Sequence, residues 1–357
     1  MTRLLTDVIE SHYLETHEGL FFAVKGLVHP PDRFFAILRY APDESGDRWK
    51  AGQRYRRLYH FAEQEQFLRA RYPHYLAFDP VCQAVLQSVP HACIRRVYDP
   101  RRRLQELAQQ EHRDGVEEDA LAFARLLQEE AAVPWTALGV SGSLLLGLHT
   151  PQSDLDISVY GSQNCYAVWR ALKRLLSQAE QGITAGLEVR PLDPHGMEAL
   201  YAERLPDTHM GFADFIRTES QKVMQGQFRH RPYFIRFLKA PAEVDERYGD
   251  VRYRPLGRAG IAATVADASE AIFTPCRYTL TAVRFLDSAP EVELALPPTE
   301  IVSYRGRFCE QARTGDTILA FGTLERVQAR DGRTWCRLLL GNRPDDSLIL
   351  TEAACER

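Results

Sequence analysis

No Cys-x-x-Cys pair occurs anywhere in the sequence. The seven cysteines, at 82, 93, 165, 276, 309, 336 and 355, are dispersed and odd in number, which argues for reduced thiols and against a zinc site or a disulfide framework. Long apolar runs are missing too: nothing approaches the ~20 residues that span a bilayer. The opening MTRLLTDVIESHYLE carries acids where a signal peptide would be apolar. Both features predict a soluble, cytoplasmic protein with no membrane partner. Nor is there an excess of positive charge. With 44 Lys and Arg against 48 Asp and Glu the formal net charge is −4, so any contact with nucleic acid must come from a local patch. The sequence also lacks a Walker loop, a Rossmann glycine fingerprint, a zincin motif and a nucleophile elbow.

What is present is an ordinary folded composition, 45% apolar and 26% charged over 357 residues, enough for two or three domains. Residues 19–28 (GLFFAVKGLV) and 34–40 (FFAILRY) are β-rich runs joined by a turn, HPPDR. Helical patterning follows in HFAEQEQFLRARY, and Tyr98-Asp99-Pro100 with three arginines after it marks a break near residue 100. Segment 116–130 is an amphipathic helix with early acids. In 162–178, Cys165, Val168, Trp169, Leu172, Leu175 and Leu176 recur at helical spacing, with Ser162 in place as N-cap. GLEVRPL (186–192) and YFIRFLK (233–239) read as strands, with two helices over 194–225. This alternation predicts an α/β domain. Beyond about residue 262, short β runs separated by Gly, Asp and Pro predict a small β-barrel, the OB type among the candidates. The expected organisation is α+β and multidomain: an N-terminal α+β region (1–100), an α/β core (101–260) and a C-terminal barrel (261–357).

Chemistry concentrates in residues 139–161, GVSGSLLLGLHTPQSDLDISVYG. DLDISVY alternates as a strand does, so Asp154 and Asp156 project from one face. Adjacent carboxylates repel, and such a pair calls for a compensating cation or retains a proton. The Gly142-Ser143 turn ahead of a short helix offers backbone N–H groups and a hydroxyl to phosphate oxygens. Nucleotidyl transfer needs these parts. Divalent ions about 4 Å apart, carried by carboxylates, neutralise the charge that develops on the phosphates.

The stretch resembles the signature of the DNA polymerase β-like nucleotidyltransferase superfamily: Gly-Ser, about ten residues, then Asp-apolar-Asp-apolar in a strand. Ten residues separate Ser143 from Asp154 here, and Ser153-Asp154 is similar to the form seen in CCA-adding and polyadenylating members. The resemblance implies a polymerase β-like core in which Asp154 and Asp156 bind Mg²⁺, or Mn²⁺ in its place. It also implies that Gly142 and Ser143, with Ser153, contact a nucleoside triphosphate. The flanks, GLFFAVKGLVHPPDRFFAILRY above all, look like those of uncharacterised predicted nucleotidyltransferases of archaea and bacteria, which carry no known activity.

Active members of that superfamily carry a third carboxylate on a neighbouring strand. Glu188 is the first candidate, as catalytic residue and metal ligand, with Asp193 and Asp245 behind it; YFIRFLK offers none, and Arg236 stands where an acid would be sought. An arginine between apolar neighbours needs an anion, either a core carboxylate or a bound triphosphate. Segment 222–260 mixes Lys222, Arg229, Arg231, Arg236, Lys239, Arg247, Arg252, Arg254 and Arg258 with Tyr233, Tyr248 and Tyr253, a composition that suits phosphate contact and base stacking as well as a solvated surface. Arg48, Lys50, Arg54, Arg56 and Arg57 form a second basic stretch beside Trp49 and Tyr55, and His149 lies in the signature's loop. The expected activity is Mg²⁺-dependent transfer of a nucleoside monophosphate from a nucleoside triphosphate to a hydroxyl, with RNA, tRNA included, as the favoured acceptor. Nucleotidylation of a protein or small molecule stays open, as does a catalytically inactive nucleotide-sensing or RNA-binding protein on the same fold. Oligomeric state does not follow from the sequence.

Overall fold

The structure, a computed structural model, describes residues 7–181, 188–207, 210–288 and 296–351. Cys355, residues 1–6 and the first two residues of the expected strand at 186–192 lie outside them. The chain forms two compact units: 1–77, 85–192 and 223–245 make the first; 78–84, 193–222 and 246–357 make the second.

The chain opens with β1 (Tyr13–Thr16), β2 (Phe21–Val24), β3 (Arg33–Pro42), β4 (Arg48–Lys50), β5 (Gln53–Arg57), helix α1 (Phe61–Arg71), β6 (Leu76–Asp79), β7 (Ala84–Pro90) and β8 (Ile94–Tyr98). Their antiparallel sheet runs β4-β5-β3-β2-β1-β8, with β7 also on β3 and β6 on β7. Its two faces bury different partners. Leu14, Phe22, Val24, Ala36 and Leu38 pack with Leu68 of α1, Leu58 and Tyr75. On the other face Tyr13, Phe21, Ala23, Tyr40, Tyr55 and Tyr98 pack with Leu145, Leu146 and Leu148 of the signature. Strand pairing slips once between β2 and β3: Phe21 opposes Tyr40 and Phe22 opposes Leu38. Arg39 is therefore the extra residue of a β-bulge, which turns Tyr40 to the face that Ile37 already occupies.

The chain then forms α2 (Pro100–Gln109), α3 (Gly115–Ala131), β9 (Leu138–Val140), α4 (Gly142–Leu146), β10 (Leu155–Tyr160), α5 (Ser162–Glu180) and β11 (Val189–Arg190). Asp99 caps α2 where the break near residue 100 is expected, and Asp114 caps α3 in a capping box with Glu117. Gly161, not Ser162, is the N-cap of α5: the Ser162 N–H is held by the Glu243 carboxylate at 3.0 Å. The carboxylate accepts from that N–H as a cap would, which leaves the serine hydroxyl unneeded. The periodicity of α5 holds for Cys165, Val168, Leu172, Leu175 and Leu176, which are buried.

After α6 (Pro194–Arg204) and α7 (Phe212–Glu219), both in the second unit, come β12 (Gln225–Phe228) and β13 (Arg231–Leu238) of the first. The sheet of this core runs β11-β12-β13-β10-β9. Only β10 and β13 pair in parallel; β9, β11 and β12 join antiparallel. Strand β12 begins at Gln225, the last residue of the stretch expected to be helical, where the sequence predicts no strand. QGQF is too short to show a period, and its pairing with β13 decides its state.

The second unit closes with β14 (Val251–Asp267), β15 (Cys276–Ser288), β16 (Glu300–Ser303), β17 (Thr317–Ala329), β18 (Thr334–Leu340) and β19 (Ser347–Leu350). The ring β14-β15-β16-β18-β17 closes through β14–β17 pairing, with β16 and β18 parallel and β19 outside on β17. Ile261, Tyr278, Ile301, Leu324 and Leu338 fill it. The fold is α+β, with a closed five-stranded barrel in the C-terminal region. Among the described residues no helix is long and apolar enough to cross a membrane.

Phe123 of α3 is buried, its ring 4.8 Å from that of Phe228 and 4.7 Å from that of Tyr233. Phe123→Ala should cost about 3–5 kcal/mol, read as a lower urea midpoint; an unchanged midpoint would mean that α3 does not hold this sheet.

Candidate functional site

Strand β10 places the aspartates. Asp154 immediately precedes it and Asp156 is its second residue. In the parallel register Asp156 lies opposite Phe234 and Ser158 opposite Arg236, so these four share a side of the sheet. Leu155, Ile157 and Val159 turn to the other side and are buried. The sheet can only be laid down this way round, because one residue of slip would bury both carboxylates among helices.

The Gly-Ser turn meets the same carboxylate. The Ser141 N–H donates to the Asp156 carbonyl at 2.8 Å, which draws the turn against the strand. Gly142 sits at φ +60°, and a Cβ there would lie 1.8 Å from Asp156 Oδ2. Only glycine fits, on both conformational and steric grounds. Ser143 Oγ donates to Ser153 Oγ at 3.3 Å, and Ser153 Oγ also accepts from the Thr150 N–H at 2.9 Å, tying the turn to the residue before Asp154. From the β4–β5 hairpin, Arg48 reaches the Leu148 carbonyl and the Thr150 and Ser153 hydroxyls at 3.3–3.4 Å, while Lys50 donates to the Leu146 carbonyl. Part of the second basic stretch thus holds the signature loop in shape. His149 belongs elsewhere, its Nε2 lying 2.7 Å from the Asp114 cap of α3.

The segment Glu10–Ser11 completes the site, and no sequence pattern pointed to it. Ser11, at φ +81°, places its hydroxyl 2.5 Å from that of Ser158 and 3.0 Å from that of Ser141. Glu10 is buried, with Lys25 Nζ at 2.6 Å, the Gly26 N–H at 2.7 Å and Arg236 at 3.3 Å. The anion that Arg236 requires is therefore a core carboxylate. Burial pulls the Lys25 ammonium down to about 8 even with Glu10 opposing it.

Burial, and then the charge of Asp154, push the Asp156 carboxyl up to about 7 against Arg236, Arg57 and Arg39. Tyr13, close enough to feel Asp156, Arg39 and Arg236, is raised to about 12 chiefly by burial. A carboxylate held this way gains from any cation that replaces its proton. Among the described residues no group of three or more His, Cys, Asp or Glu side chains is placed to hold a metal. Two carboxylates on one side of a strand fit Mg²⁺, which commonly takes one or two from a protein and completes its shell with phosphate oxygens and water.

The structure does not bring Glu188 to the pair. Glu188 lies beside β11, and β12 and β13 intervene before β10, which at ~4.8 Å per strand is about 14 Å away. Its carboxylate pairs with Arg229 Nε at 2.6 Å. Asp193 caps α6. The basic segment 222–260 is largely matched by carboxylates: Arg229 and Arg231 meet Asp119, Lys222 meets Glu219, and Arg258 meets Asp345 and Asp346. Tyr233 is buried, and Tyr253 lies against Arg337, 3.7 Å from its ring centroid.

Over 337 residues the chain is 28% identical to an uncharacterized protein, MJ1086, of Methanocaldococcus jannaschii, covering 92% of this chain and 94% of that one. No family model matches the chain, and no solved structure matches it.

Two outcomes follow from this geometry. Gly142→Ala should lower the melting temperature more than Gly147→Ala, which has a similar φ, +66°, but would meet only Lys50 Nζ, at 3.7 Å. The left-handed backbone costs about 1–2 kcal/mol in both; equal melts would show that Asp156 yields freely. The second outcome concerns pH. The folded Asp156 carboxyl binds its proton up to about 7, whereas the unfolded one releases it near 3.9. The penalty is absent below pH ~4, grows as pH rises and is full above ~7. Asp156→Asn should therefore raise the melting temperature at pH 8 and leave it nearly unchanged at pH 4.5; a gain independent of pH would refute the assignment.

Proposed function

We propose that the first unit is a metal-dependent nucleotidyltransferase of the polymerase β-like type. The supporting observation is the convergence of Gly142 on Asp156, with Ser143 joined to Ser153 beside Asp154. A phosphate-cradling turn and a carboxylate pair meet at one point, the arrangement that nucleotidyl transfer needs. Asp154 and Asp156 would hold Mg²⁺ or Mn²⁺, whose chemistry is to polarise the α-phosphate and offset the charge of the departing pyrophosphate. The chain's own groups do the rest. Gly142 and Ser143 cradle the triphosphate, and Phe234 walls the side of the carboxylates opposite the turn. The acceptor hydroxyl oxygen bonds to the α-phosphorus as the bond to pyrophosphate breaks, and the hydroxyl proton passes to water.

RNA is the favoured acceptor. The barrel closes in the order first-second-third-fifth-fourth, with third and fifth strands parallel, the order of OB-type barrels, which bind oligonucleotides. A second reading, a nucleotide-sensing protein without turnover, draws support from the neighbouring strand. The positions beside Asp156 and Ser158 are Phe234 and Arg236, neither of them an acid.

Purified protein with Mg²⁺ or Mn²⁺ and each α-labelled nucleoside triphosphate, offered total RNA, tRNA and the protein itself, separates the two. Label on one acceptor, at least ~100-fold weaker in Asp154→Ala/Asp156→Ala, is the expected result. Metal-dependent nucleotide binding without label, lost in the double variant, would replace transfer by sensing.

A further inference from the structure

The signature accounts for the carboxylates and the turn. It does not account for the arginines that face them from the N-terminal sheet. Arg57 ends β5 directly opposite Tyr40 in the β3–β5 register, so it stands on the face that packs against Leu145 and Leu146 of α4. Arg39 follows Leu38 of the opposite face and so, like Ile37, projects to the same side by simple alternation. The bulge between β2 and β3 brings Tyr40 to that side as well, next to Arg39. Both guanidiniums lie on one ring, with Arg57 4.8 Å and Arg39 5.1 Å from the centroid of Tyr59. An aromatic face of this kind orients a guanidinium without neutralising it. Among the described residues no carboxylate forms an ion pair with Arg39, whereas Arg236 on the sheet below has Glu10.

The charges of Arg39, Arg57, Arg48 and Asp156 all bear on the Tyr40 hydroxyl, and Arg48 is bonded to Ser153, the partner of Ser143. Arg39 and Arg57 therefore stand close to the Asp156 carboxylate, whose charge they also oppose, near where the phosphates beyond the α-phosphate would lie.

We propose that the N-terminal sheet supplies the anion-binding half of the site, with Arg39 and Arg57 gripping the β- and γ-phosphates of a nucleoside triphosphate. Tyr59 holds both guanidiniums in the direction of the phosphates. This inference rests on the nucleotidyltransferase reading, and the two fail differently.

The test is titration calorimetry of the full chain in Mg²⁺ with ATP, AMP and inorganic tripolyphosphate. The variants are Arg39→Ala, Arg57→Ala and the charge-keeping Arg39→Lys and Arg57→Lys. We expect wild type to bind ATP and tripolyphosphate, each alanine variant to weaken both at least tenfold, and AMP binding to be unmoved, since AMP lacks the phosphates concerned. The lysine variants should recover most of the affinity, and their melts check that folding is intact. ATP binding by wild type with unchanged affinities in both alanine variants would overturn the inference and leave the transferase reading standing. Tripolyphosphate binding that the alanine variants lose, with ATP no tighter, would keep the anion site and remove the nucleotide. Binding of neither ligand would overturn both.

Discussion

The contact of the Gly142 Cα with the Asp156 carboxylate is the constraint on which the rest of the first unit depends. A Cβ at 1.8 Å from Oδ2 is impossible, so the turn must be glycine and the strand must bring its second residue to that point. The Ser141 N–H to the Asp156 carbonyl sets the height of the β9–β10 hairpin that does this. Parallel pairing with β13 then requires a crossover, which α5 begins and which returns through β11 and β12. One steric contact thus selects a residue and goes with one hairpin register.

The second theme is charge held in a confined space. Burial alone would neutralise Asp156, and Asp154 acts in the same sense; three guanidiniums oppose both without cancelling them. The neighbouring polar groups are satisfied in pairs and chains. Ser11 joins Ser141 and Ser158, and Glu10 joins Lys25, the Gly26 N–H and Arg236. A network of this kind is stable only when every member has a partner, so the Glu10–Ser11 segment is as much a part of the site as the signature itself.

This explains what could be read from the sequence. Gly142, Ser143, Asp154 and Asp156 lie within fifteen consecutive residues, and the spacing that makes the site is local. The helices α3 and α5 carry clear periods, and the strands β3, β13 and β15 to β19 stand out as short β-rich runs, for the same reason. Glu10, Ser11 and Arg39 carry no such mark, because Ser11 meets Ser141 and Ser158 across 130 and 147 residues of chain. The need of Arg236 for an anion was legible from its apolar neighbours; the identity of that anion, Glu10, was not. Glu188 shows the limit from the other side. It follows the Asp-x-Asp strand by one helix in sequence, yet β12 and β13, later in the chain, insert themselves between. Order along the chain is not order across a sheet.

The same reasoning bears on whether the N-terminal region is an appendage. Leu145, Leu146 and Leu148 belong to the turn that cradles the site, and their burial is provided by Tyr13, Phe21, Tyr40 and Tyr55 of the sheet. Removing that sheet would expose three leucines at roughly 2 kcal/mol each, two of them on a helix of five residues that has little stability of its own and one just after it. It would also strip the signature loop of Arg48 and Lys50, which bind its carbonyls and hydroxyls. The signature therefore cannot keep its geometry as an isolated module. The sheet that shapes the turn is the same sheet that carries Arg39 and Arg57 on its site-facing side, so building the site and charging it are one structural act.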